Sequence, residues 1–117
     1  MQPIDTNRVE LSGRIATEPI MRIVPPGTTF YVLFELRSCG EWPDHTGTCV
    51  LLEYRHLCFA QGSSAEAIAW ASEGDSVQLV GAIDLILDDY TGPEMVPSYK
   101  PAIRVHQMQL IEEGESR

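Results

Sequence analysis

Five side chains of the kind that hold zinc fall within one stretch of this sequence: Cys39, His45, Cys49, His56 and Cys58. A structural zinc site needs its ligands in close pairs, as in Cys-x2-Cys, because a short loop must bring two donors to one ion. The spacing here is irregular. His56 and Cys58 would project from one face of a strand, where cysteine serves as a small buried hydrophobe. No metal is expected. Asp84, Asp88 and Asp89 could hold the paired ions of a nuclease, but no histidine partners them, and they read as a solvated acidic face. No Ser-His-Asp arrangement, phosphate-binding glycine loop or His-Glu-x-x-His motif occurs, so neither an enzyme nor a cofactor is expected. Trp42 stands apart, an indole among Gly40, Glu41, Pro43 and Asp44 with no core to join. A ring left at the surface of a polar hairpin is suited to meeting a ligand.

The elements that would position such groups follow from alternation. Val9, Leu11 and Ile15 alternate with Arg8, Glu10, Ser12 and Arg14, the period of a strand with one buried face. Gly13 interrupts it where a missing side chain favours a bend. A turn at Pro25-Pro26-Gly27 leads to a second strand, Thr29 to Arg37. Phe30, Val32, Phe34 and Leu36 share one face of it, with Tyr31, Leu33, Glu35 and Arg37 on the other. Cys39 to Gly47 reads as a hairpin loop before a third strand, about Thr48 to Phe59. Ser63-Ser64-Ala65-Glu66 has the capping-box form and opens a short helix, Ser64 to about Ala71, with Trp70 expected in the core and Gly74 closing it.

A fourth strand, about Ser76 to Leu87, places Val77, Leu79, Ile83 and Leu85 on one side, with Gly81 at a second bend. After a loop from Asp88 to Ser98, the last strand runs from about Lys100 to Ile111. Its apolar parity changes near His106, which predicts a bulge. Glu112 to Arg117 should be a frayed acidic tail. This order predicts an all-β, five-stranded OB-fold barrel with one short helix between strands three and four. The whole chain, 1–117, reads as one domain, ordered from about 6 to 111.

The formal charge is −9, from 8 basic and 17 acidic side chains, so the molecule repels polyanions at long range. The excess is local. Residues 1–40 and 100–117 each cancel, and in 41–99 a lone Arg55 stands against ten acids. No apolar run reaches membrane-spanning length, and the first residues lack the basic and apolar parts of a signal peptide. Three cysteines make no paired framework, which fits a reducing cytoplasm.

The wording carries a resemblance. The opening "NRVELSG", then "EP", "R" and "PPG", resembles bacterial single-stranded-DNA-binding proteins and, more closely, the primosomal replication protein N (PriB) family. "FELRS", "EGDSVQLVGAI" and the closing "YKPAIRVHQMQLIEEGES" extend it along most of the chain. The resemblance implies a homodimeric OB module in replication restart, binding single-stranded DNA, the primosomal helicase and other primosome proteins. It carries DNA contacts onto Arg22, Arg37 and Lys100, and onto Trp42 in the loop that bears a binding aromatic. The chain departs from that family in two places. A lysine-rich loop is replaced by Asp84, Asp88, Asp89 and Glu94, and the third-strand tryptophan by Val50 or Leu51. An OB interaction module with little DNA binding is therefore the alternative. A generic single-stranded-DNA-binding protein is a further one, with a linker and acidic tip not seen here.

Overall fold

The structure is a computed structural model and describes residues 5–23, 30–91 and 96–111, with the side chains of 22, 23, 30 and 88–91 outside it. The strands are β1 (Val9–Ile15), β2 (Ile20–Ile23), β3 (Phe30–Pro43), β4 (Cys49–Gln61), β5 (Ser76–Thr91) and β6 (Val96–Leu110); helix α1 (Gly62–Ala67) follows β4. Their order in the sheet is β1-β5-β6-β4-β3-β2, and a further β1–β3 pairing closes it. β1 meets β3 at Arg14–Arg37 and Ile15–Leu36, and β2 continues along β3 from Ile20–Leu33 to Ile23–Phe30. Between them Ala16 donates to the Glu35 carbonyl and the Glu35 amide donates to Thr17 Oγ1. β1 and β2 are thus one bent first strand, and the molecule is the expected five-stranded OB barrel. Among the described residues its one parallel contact, Cys58–Ile103 and Phe59–Arg104, joins β4 to β6.

Alternation places the core as expected. Val32, Phe34 and Leu36 of β3 are buried with Ile15, Val77, Leu79 and Val105. Two glycines allow the strands to wrap. A Cβ on Gly13 would collide with the Arg37 carbonyl, and one on Gly81 with the Arg104 carbonyl. The bulge stands where parity predicts it: Gly81 pairs with Val105 but Val80 with Gln107, leaving His106 as the extra residue.

Other expectations are corrected. No capping box forms, because α1 starts two residues earlier, with Gln61 at its N-cap and no side-chain cap. Beyond Ala67 the chain tightens: Ala69 donates to the Glu66 carbonyl and Ala71 to that of Ile68. A three-residue period results, so Ala65, Ile68 and Ala71 plug the barrel floor. Trp70 falls between them and is 44% exposed rather than core. The stretch from Cys39 is not a loop: β3 runs on to Pro43, paired with β4 as far as Cys49, and only a tight turn separates them. Likewise β5 and β6 extend through most of the expected loop from Asp88, so Ile83 and Leu85, leaving the barrel past Ala82, are 60% and 59% exposed. The turn at 25–27 and the tail at 112–117 lie outside the described residues.

Candidate nucleic-acid interface

β3 and β4 pair in unbroken antiparallel register from Tyr31–Gln61 to Pro43–Cys49, so directly opposed residues share a face. One face carries Glu35, Arg37, Cys39 and Glu41 on β3, with Leu57, Arg55, Glu53 and Leu51 opposite. Its charges interlock. Arg55 Nη1 donates to Glu35 Oε1 at 2.6 Å and Arg55 Nε to Glu53 Oε1 at 3.2 Å. The Glu35 contact, then that to Glu53, raises the Arg55 pKa above its ordinary value. Arg37 Nη1 lies 3.9 Å from Glu53 Oε2 and is held loosely. Arg14 stands across from Arg37 on β1, so arginines occupy one level on three adjacent strands.

The opposite face of the ribbon is aromatic. Trp42 is 62% exposed and pairs with Val50; Tyr54, opposite Ser38, stacks on His56 with centroids 6.4 Å apart. Ser38 Oγ and His56 Nε2 share a hydrogen bond of 3.0 Å. The turn beyond Trp42 is built on Asp44. Its Oδ1 accepts from the Thr46 hydroxyl at 2.6 Å, the Thr46 amide at 2.8 Å and the Thr48 amide at 3.1 Å. Those donors, the Thr46 hydroxyl foremost, hold the Asp44 carboxyl below its usual pKa.

Lys100 lies on β6 opposite Ile86 and lines a groove with Leu33, Glu35, Leu57 and Leu87, which adjoins the arginine face through Glu35 and Leu57. Arg37 and Lys100 therefore border one surface, and Trp42 occupies the other side of the β3–β4 ribbon. Arg22 pairs through its backbone with Tyr31, and its side chain lies outside the described residues. Two arginines that the sequence reading left aside, Arg14 and Arg55, join this surface. Their membership depends on cross-strand register, for which a single sequence carries no signal. Of the acidic group, Asp84 Oδ2 is bound by Arg104 Nη1 at 2.6 Å; the side chains of Asp88 and Asp89 lie outside the described residues. Among the described residues no cluster of three metal-ligating side chains is present.

No protein-family model and no curated protein sequence matches the chain. Solved structures do. The single-stranded-DNA-binding protein (SSB) of Plasmodium falciparum, in complex with single-stranded DNA, is similar with a TM-score of 0.74 at 18% identity, covering 96% of this chain and 100% of that one. Wild-type single-stranded DNA binding protein from Thermus aquaticus gives 0.73 at 19% identity over 93% of this chain and 52% of that one. PriB from Ralstonia solanacearum gives 0.64 at 16% identity over 92% and 100%. The likeness is one of fold. It extends over the whole barrel and includes a member of each group that the sequence wording resembles.

Proposed function

We propose that this chain is a single-stranded-DNA-binding OB module. The observation that carries the reading is the β3–β4 face, where Arg37 stands half-free and Lys100 borders the adjoining groove, on a protein whose net charge is otherwise strongly negative. Cations gathered on one face can neutralise phosphates locally while the remaining surface keeps binding weak. The fold likeness to an SSB solved with single-stranded DNA supports it. Fluorescence anisotropy of a labelled oligothymidylate across salt concentrations tests it. Two to four neutralised phosphates give a slope of log affinity on log salt of about −1.5 to −3. Absence of binding at low salt refutes the reading.

A replication-restart role beside the primosomal helicase is the finer proposal, resting on the PriB-like wording and the PriB fold neighbour. Homodimerisation is part of it, and two surfaces support pairing. Residues 9–13 of β1 pair with β5 on one side, and on the other side β1 meets β3 only at Arg14 and Ile15. Running out from the buried Ile103, the β5–β6 ribbon presents an exposed apolar face of Ile83, Leu85 opposite Pro101, and Leu87 opposite Tyr99. Open edges and large exposed apolar faces call for a partner. Sedimentation should show twice the chain mass, reduced by Leu85→Lys. The same apolar face favours the alternative, an interaction module for a protein partner, which gains if the anisotropy experiment shows no binding.

A further inference from the structure

We propose that the phosphate track does not end on the β3–β4 face but crosses the barrel seam onto β1, with Arg14 as its outermost arginine. This rests on the single-strand-binding reading and adds to it a strand and a residue that the resemblance does not implicate. Arg14 is the cross-strand partner of Arg37, and Arg37 of Arg55. All three point outward, since the next pair along, Ile15 and Leu36, is fully buried. With strands roughly 4.8 Å apart, the row spans about 10 Å, the reach of two to three nucleotides at 3.4 Å or more each.

Like charges directly opposite on neighbouring strands weaken a sheet unless something offsets them. The offset fades along this row. Arg55 is held by Glu35 at 2.6 Å and Glu53 at 3.2 Å, and Arg37 reaches Glu53 only at 3.9 Å. Arg14 has Arg37 across from it on one side and Ser76 on the other, and no carboxylate pairs with it among the described residues. The repulsion between Arg14 and Arg37 is what a bound anion would relieve. A groove stands at that place, lined by both arginines and by Ser12, Ser76 and Cys39. The serines supply neutral donors, and two guanidinium groups supply the planar forks that match phosphate oxygens.

Cys39 lines the groove and is exposed, Cys49 is exposed elsewhere and Cys58 is buried, so a Cys49→Ser protein carries its one accessible thiol at the site. The experiment measures oligothymidylate binding by anisotropy across salt, the melting temperature, and the rate of Cys39 alkylation by iodoacetamide with and without oligonucleotide. Arg14→Gln is expected to make the salt slope shallower by about 0.7, one phosphate's worth, and to leave the melting temperature unchanged or raised. Arg55→Gln should change the slope less, and saturating oligonucleotide should slow Cys39 alkylation. If wild type binds but Arg14→Gln leaves the slope unchanged and Cys39 reacts at its free rate, the track is overturned and the single-strand reading stands. A lowered melting temperature with an unchanged slope assigns Arg14 a structural role and overturns the track equally. If wild type fails to bind at low salt, both fall.

Discussion

The α-carbon of Gly13 lies against the carbonyl oxygen of Arg37, too close for any side chain to stand between β1 and β3. Gly81 and the Arg104 carbonyl repeat the arrangement between β5 and β6, at the bulge where Gly81 pairs with Val105. In both places the obstacle is backbone of the same barrel, which cannot swing away as a flexible side chain could. Gly13→Ala and Gly81→Ala should therefore each destabilise the fold by at least about 1–3 kcal/mol, the range for overpacking a well-packed interior. Urea denaturation followed by circular dichroism measures it. A midpoint equal to that of wild type would show that the strands do not approach this closely.

Both glycines were legible in the sequence as bends, because each interrupts a clean alternation of apolar residues. The bulge at His106 was legible for the same reason. Alternation reports burial, and it fails where burial ends. Past Ser38 on β3 and past Ala82 on β5 the strands leave the barrel, the described side chains on both faces are at least partly exposed, and Gly, Pro and Asp residues imitate a loop although pairing continues. Trp70 misled in another way: an indole is heavily buried on average, but the three-residue winding after Ala67 gives the floor to Ile68 and Ala71. The arginine row was hidden because strand register is a property of pairs of segments, and no single segment of the chain encodes it.

The turn between β3 and β4 should respond to acid. Three donors converge on Asp44 and depress its pKa, so its contribution is present above the ordinary carboxylate pKa of 3.8 and is lost as pH falls through the lower folded value. Asp44→Ala should fray the hairpin tip at neutral pH, and wild type should fray in the same place only in strong acid. Amide exchange at Thr46 and Thr48, whose N–H groups Asp44 accepts, reports both. Equal exchange in Asp44→Ala and wild type at neutral pH would refute the role.

The three thiols should behave as two classes. Cys39 and Cys49 are exposed, and burial pushes the Cys58 thiol up to about 12 from 9.0. Two thiols should react promptly with a neutral alkylating reagent at pH 8, and the third only at the rate of unfolding, because a buried thiol forms little thiolate. The same shift sets a stability window. The unfolded thiol loses its proton first, so the Cys58 contribution is intact below about 9 and declines as pH rises towards 12. Three prompt thiols in the folded protein would mean that β4 does not bury Cys58.

Trp42 and Arg37 sit on opposite faces of the β3–β4 ribbon, so they should contribute to DNA binding in separable ways. A phosphate contact acts through released counterions; Arg37→Ala should make the salt slope shallower by about 0.7 and do so for every base sequence. Stacking acts through a ring and a base. Trp42→Ala should leave the slope unchanged and weaken binding by about 1–3 kcal/mol, roughly 5- to 150-fold. A strand must round the edge of the ribbon to touch both residues. Shortening the oligonucleotide should therefore abolish the Trp42 effect at a length where the Arg37 effect persists. If both effects vanish at one length, the strand does not wrap the ribbon, and Trp42 and Arg37 read a single flat surface that the register of β3 and β4 does not provide.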